Sequence, residues 1–152
     1  MHRLVASTLG LGFIPGRLWG SDKGAGTFGA AFAAVIGLAL LALDAPWWLT
    51  LAVAAALTAI SLWAAVPFAV DGEDPGWVCI DEAAGTMVAL VGLGGIPWVV
   101  ALVVARLADI FKVLPGVRAA EEHLPGAVGI TADDLVAGIY GLAAGWAVSW
   151  LI

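Results

Sequence analysis

Clustered carboxylates beside a few cations are the residues of this chain best suited to chemistry. Asp81-Glu82 and Asp133-Asp134 are adjacent acid pairs, and Arg106, Asp109 and Lys112 form a cation–anion–cation run at i, i+3, i+6. At 100° per residue a helix would hold those three within an arc of about 120°. Oxygen ligands at this density suit a hard cation such as Mg2+. Metal ions and cationic clamps stabilise the charge that develops on phosphoryl oxygens, so phosphate chemistry is the natural candidate. The Arg106–Lys112 run has a second reading, a self-neutralising ladder at the end of an apolar helix. The cost of ionisable groups at a bilayer boundary favours the phosphate clamp.

Two more islands hold polar groups. Gly20-Ser-Asp-Lys-Gly-Ala-Gly-Thr-Phe-Gly29 is glycine-rich and precedes an apolar stretch. Glycines let backbone N–H groups approach an anion at a helix start. Thr27 there is a candidate helix cap or ligand contact. No Gly-Lys-Ser/Thr follows, so this is not a Walker loop. Asp71-Gly-Glu73-Asp74 through Asp81-Glu82 places five acids in twelve residues. The helix dipole explains one acid at a helix start but explains five less well. Before the last apolar stretch, Thr131 fits an N-cap and Asp133 and Asp134 the first helical turn. Arg118, Glu121, Glu122 and His123 read as the solvated face of a short interfacial helix.

Several phosphate chemistries lack their residues. A cysteine phosphatase needs an arginine six positions after its nucleophile, and after Cys79 that position is Gly85. Cys79 therefore reads as a small buried apolar residue. There is no Asp-x-Asp pair for an aspartyl-phosphate enzyme, and Asp71-Gly72 does not continue into the pattern of a CDP-alcohol transferase. His2 and His123 are too few for a histidine-nucleophile lipid phosphatase. Metal-assisted hydrolysis with water attacking survives.

The elements that must position these groups are membrane helices. The chain has 152 residues, room for one domain (1–152), with 62% hydrophobic and 12% charged residues. Mean hydropathy is +1.04. A soluble domain carries about 25% charged residues. A net charge of −6 excludes a nucleic-acid binder, and a single cysteine excludes a disulfide framework. Met1-His2-Arg3 before an apolar run resembles a signal peptide. Gly12, Pro15 and Arg17 interrupt it and no Ala-x-Ala site follows, so it is expected to stay in the mature chain.

Charge-free stretches at 24–43, 45–70, 83–105 and 135–152 are each near the ~20 residues that span a bilayer. The third holds Gly92-Leu-Gly-Gly-Ile-Pro97 at its centre, which a straight helix tolerates poorly. The expected fold is all-α: a polytopic membrane bundle of about three full spans (Phe28–Leu43, Trp47–Val70, Leu135–Ile152), a broken hairpin (Ala83–Leu93, Trp98–Phe111) and a short interfacial helix. With the N-terminus in the cytoplasm, the hairpin places all six bases inside, as the positive-inside rule asks. Eleven of the twelve acids share that face and Asp44 lies opposite. Trp47, Trp48, Trp98, Trp146 and Trp150 read as interfacial anchors. Gly138, Gly141 and Gly145 read as a close-packing face.

Four segments resemble the phosphatidylglycerophosphatase A family. Lys23…Gly26-Thr27-Phe28-Gly29 resembles its PGTxGS segment. Asp74-Pro-Gly-Trp-Val-Cys-Ile-Asp81-Glu82-Ala-Ala-Gly85 resembles D-x-x-x-I-V-x-D-E-x-x-G. Arg106-Leu-Ala-Asp109-Ile-Phe-Lys112-Val-Leu-Pro115 resembles R-x-x-D-x-x-K-P-x-P, and Gly126 to Gly138 resembles G-G-x-G-x-x-x-D-D-x-x-A-G. The four occur in order and cover residues 20 to 140. Ala25, Ala30, Val113 and Ala127 depart from the pattern at loop-stiffening positions, while the charged positions are kept. The resemblance implies a helical, Mg2+-dependent membrane phosphatase of the inner membrane that hydrolyses phosphatidylglycerophosphate to phosphatidylglycerol at the cytoplasmic face. On it, Asp81, Glu82, Asp109, Asp133 and Asp134 hold the metal, one of them deprotonating water, with Asp74 as a further ligand. Arg106, Lys112, Lys23 and Thr27 bind phosphate. The rival class is a transport or non-catalytic lipid-binding membrane protein using the carboxylates for cations. A cation pathway would spread its acids through the membrane depth, whereas here they gather on one face.

Overall fold

The computed structural model describes residues 1–69 and 75–152, apart from the side chain of Glu121. It is all-helical, with no strand among the described residues. Two short helices, α1 (His2–Ala6) and α2 (Ile14–Trp19), are followed by α3 (Ala25–Ala42) and α4 (Trp47–Ala65). Then come α5 (Ile80–Ala89), α6 (Gly95–Phe111), α7 (Val117–His123) and α8 (Gly126–Leu151). Three of these, α3, α4 and α8, are long and apolar enough to cross a membrane.

The helices pack by backbone proximity. The buried apolar residues are mostly alanine, Ala33, Ala64, Ala83, Ala84 and Ala101 among them, while Val35, Leu51, Val99 and Ile139 point outward. Lipid tails are as apolar as leucine, so burying large side chains gains little in a bilayer, and small residues that let helices touch gain more. Gly138 of α8 meets the backbone oxygen of Gly85 on α5, and a Cβ at Gly85 would meet the backbone of Asp134. A Cβ at Gly141 would lie 2.5 Å from the Ala101 carbonyl oxygen of α6. The glycine face expected on the last helix is therefore the seam of the bundle.

The broken hairpin is present with shifted ends. At ten residues, about 15 Å, α5 is too short to span. The glycine turn after it reaches the far end of the bundle, where Gly92 adopts φ 70° and faces Trp146 and Trp47. Helix α6 starts at Gly95, not Trp98, because proline is tolerated in a first helical turn. Trp98 is buried at 6% exposure, against the expected interfacial role. Its ring lies 3.5 Å from where a Cβ on Gly37 would stand. The other four tryptophans of that group are exposed. Helix α4 stops at Ala65, two residues before Pro67, which disfavours helix in the residue preceding it.

The largest departure is α8, which begins at Gly126, nine residues before the expected start. Thr131 is an interior residue whose hydroxyl hydrogen-bonds that of Ser61 on α4 at 2.8 Å. Asp133 and Asp134 sit more than a turn inside the helix, so the dipole of the first turn does not account for them. Packing on α5, α6 and α4 overrides the glycine and threonine signals that read as a loop.

Candidate active site

Glycine crossings set the site. Asp81 lies one turn before Gly85 on α5, and Asp134 one turn before Gly138 on α8. Because the two helices touch at those glycines, the carboxylates one turn earlier are forced to face each other. Oxygens of Asp81, Glu82 and Asp134 all lie within 4.8 Å of one another. So do oxygens of Asp109, Asp133 and Asp134. Asp134 belongs to both groups, and α6 joins the cage through Asp109. Asp81, Asp133 and Asp134 are buried, at 2%, 5% and 6% exposure.

Buried acids at this spacing are costly as anions without a counter-charge. Burial and the nearby Asp109 raise the Asp81 carboxyl above its usual range, although hydrogen bonding with Glu82 opposes this. Burial, with Asp81 and Asp134 alongside, holds the Glu82 carboxyl well above the usual glutamate range. Asp81 Oδ1, Glu82 Oε2 and Asp133 Oδ1 are buried without a hydrogen-bond partner. Oxygen-only donors converging from three helices, with these three buried oxygens among them left without a hydrogen bond, fit a hard divalent cation.

The cations flank the cage. Arg106 Nη1 donates to Asp109 Oδ2 at 2.7 Å. Lys112 does not continue the helical stripe: α6 ends at Phe111 and Lys112 caps it in the left-handed region, φ 49°. Its ammonium then reaches Asp133 Oδ2 at 2.8 Å. The following loop is tied to α8 by Tyr140, whose hydroxyl donates to the Pro115 carbonyl at 2.9 Å.

A cavity of about 590 Å3 opens beside the cage, lined by Lys23, Thr27, Glu82, Arg106, Asp109 and Lys112 among others. Thr27 is the third residue of α3, whose N-cap is Gly24, so it caps nothing and contributes to the wall. Gly26 leaves room for these groups: a Cβ would meet the Glu82 carboxylate and stand 3.0 Å from Arg106 Nη2, so both side chains would have to shift. The structure thus brings together Lys23, Thr27, Asp81, Glu82, Arg106, Asp109, Lys112, Asp133 and Asp134. Asp74 lies outside the described residues. Sequence reasoning passed over Ser21, Asp22 and Gly76, which also line the cavity. For Asp22 the available signal was its place next to Lys23 in the glycine-rich island.

Other groups fall where the sequence placed them. Cys79 is fully buried, its Sγ 3.2 Å from Thr8 Oγ1. Burial pushes its thiol up to about 11, which leaves it inert as a nucleophile at neutral pH. On α7, Arg118 pairs with Glu122 at 2.7 Å on the exposed surface.

A helical membrane bundle with a buried carboxylate cage and a cation-flanked cavity at one end defines a membrane enzyme of phosphate esters. Residues 4–149 match the family Phosphatidylglycerophosphatase A. The chain belongs to that family, and its activity is that of a phosphoric monoester hydrolase acting in phospholipid metabolism. It is also 33% identical, over 98% of its length and 94% of the relative's, to a Bacteroides thetaiotaomicron protein named "Putative phosphatidylinositol-3-phosphatase". No solved structure matches the chain.

Proposed function

We propose that this protein, acting as one unit over residues 1–152, is a Mg2+-dependent phosphatase that converts phosphatidylglycerophosphate to phosphatidylglycerol at the cytoplasmic face of the inner membrane. The observation that carries the reading is the pair of carboxylate groups sharing Asp134 beside a cavity walled by Arg106, Lys112 and Lys23. Asp81, Glu82, Asp109, Asp133 and Asp134 would hold Mg2+, with Asp74 as a further ligand. The bound ion would supply Lewis-acid stabilisation of the phosphoryl oxygens and a more acidic water.

The chain's own groups do the rest. Arg106 donates to Asp109 and Lys112 to Asp133, and as multi-donor cations both would also present N–H groups to the phosphate oxygens. Lys23 and the Thr27 hydroxyl contact the phosphate from the α3 side. A carboxylate of the cage takes a proton as water attacks phosphorus in line with the glycerol oxygen. The P–O ester bond breaks, the glycerol oxygen takes up a proton, and inorganic phosphate leaves.

All six bases belong to segments at the cage end, which supports a cytoplasmic site by the positive-inside rule. A cation pathway would need carboxylates along the bundle, and among the described residues the far end holds Asp44 alone. The Bacteroides relative favours a second reading, a 3-phosphorylated inositol lipid as substrate. Specificity constants for detergent-solubilised phosphatidylglycerophosphate and phosphatidylinositol 3-phosphate separate the two. We expect phosphatidylglycerophosphate to be preferred by at least about tenfold; a preference for the inositol lipid overturns the substrate assignment.

A further inference from the structure

The polar cavity does not end at Arg106. A second, apolar hollow of about 190 Å3 continues from it between α3 and α6, lined by Thr27, Ala30, Ala31, Ala34, Leu102 and Arg106. Thr27 and Arg106 line both spaces. On α3 the lining residues stand at i, i+3, i+4 and i+7, and on α6 at i and i+4, so each helix presents one continuous face. Three of the four α3 positions are alanine, whose short side chains leave the space between the two helices open. From Thr27 to Ala34 the lining rises seven residue steps along α3, about 10 Å. Beyond Ala34 the helices close: Gly37 packs against Trp98 and Leu90.

The groove is open to the side. Ala31 is exposed, as are the neighbouring Val35 on α3 and Val99 and Val103 on α6. It faces the surface that the bilayer covers, and its upper end is the guanidinium of Arg106. An arginine with its stem along an apolar wall and its head in a polar cavity is arranged for a ligand that is apolar at one end and anionic at the other.

We propose that the α3–α6 groove holds an acyl chain of the phospholipid whose phosphate occupies the polar cavity, so that substrate enters sideways from the bilayer between α3 and α6. This rests on the phosphatase reading above and adds the route and the chain-binding subsite. A larger apolar hollow of about 400 Å3 between α4 and α8, lined by Leu51, Ala55, Thr58, Leu62, Leu135 and Ile139 among others, shares no residue with the polar cavity. It serves as the internal comparison.

Two experiments decide the proposal. In the first, phosphatidylglycerophosphate carrying a mid-chain diazirine is photolysed with the wild-type protein in micelles and the labelled peptides are mapped. Labelling within residues 27–34 and 99–106, competed by unlabelled phosphorylated lipid, is expected. Labelling confined to residues 51–62 and 135–139 overturns the proposal. In the second, kcat/KM is measured for dioleoyl and dibutanoyl forms of the substrate. Ala34→Leu fills the groove and is expected to lower the long-to-short ratio about tenfold, the equivalent of about two buried methylenes. Ala55→Leu, in the α4–α8 hollow, is expected to leave the ratio as in wild type. An unchanged ratio in Ala34→Leu, or an equal drop in both variants, overturns the groove. Should Ala34→Leu fail to fold, the wild-type labelling decides alone. A wild-type protein that hydrolyses neither lipid contradicts the phosphatase reading instead, while the labelling pattern still judges the groove.

Discussion

The two ends of this bundle are made from the same kinds of helix and carry opposite chemistry. At one end α5, α6 and α8 bring five carboxylates, an arginine and a lysine to one cage and its rim. At the other, the turns are sealed with apolar groups: Gly92 lies between Trp47 and Trp146, and Leu41 packs near Gly94. The one charged residue described there, Asp44, sits in the α3–α4 turn at φ 48°. Aspartate tolerates the left-handed region better than most residues, so its place is explained by turn geometry. Burying acids is expensive, and the expense is accepted at one end only. That contrast separates a site from a pathway: carboxylates gathered at one depth hold a cation, whereas a conduit would carry them through the membrane.

The comparison breaks most visibly at Asp134, which belongs to both carboxylate groups. Asp134→Asn is expected to lower kcat/KM by about 10^3-fold or more while the protein keeps its helical circular dichroism and detergent elution position. Arg106→Ala should cost about 10^2-fold, and Arg106→Lys should recover only part of it, because a point charge replaces a two-pronged donor. Steady-state kinetics on the same lipid check both. Gly138→Ala tests how the cage is assembled. Its Cβ would meet the Gly85 carbonyl oxygen, so a loss of about 2 kcal/mol of stability is expected in reversible unfolding, with activity falling as the carboxylates separate. The smallest effect belongs to the far end. Asp44→Asn should change activity by less than about twofold and stability by less than about 0.5 kcal/mol, since asparagine also adopts the left-handed turn.

Much of this was legible because charge is scarce in the chain. Each ionisable residue in an apolar sequence is a marker, and the spans, the broken hairpin and the clustering of acids followed from where the charges are absent. The start of α8 was not legible: Gly126, Gly129 and Thr131 read as loop and cap, and their helix is imposed by packing that a linear pattern does not show. Trp98 was misplaced for the same reason, since its neighbour Gly37 is distant in sequence. Lys112 was foreseen as part of the site but on a helical stripe. Its partner Asp133 became visible only when the left-handed cap turned the chain toward α8.

The most direct test of the central claim is phosphate release from phosphatidylglycerophosphate in micelles, with purified protein in Mg2+ and after EDTA, for the wild type and Asp81→Asn. The account predicts release that stops with EDTA, returns when Mg2+ is restored in excess, and is lost in folded Asp81→Asn. Release that persists in EDTA, or near-wild-type hydrolysis by folded Asp81→Asn, would contradict it.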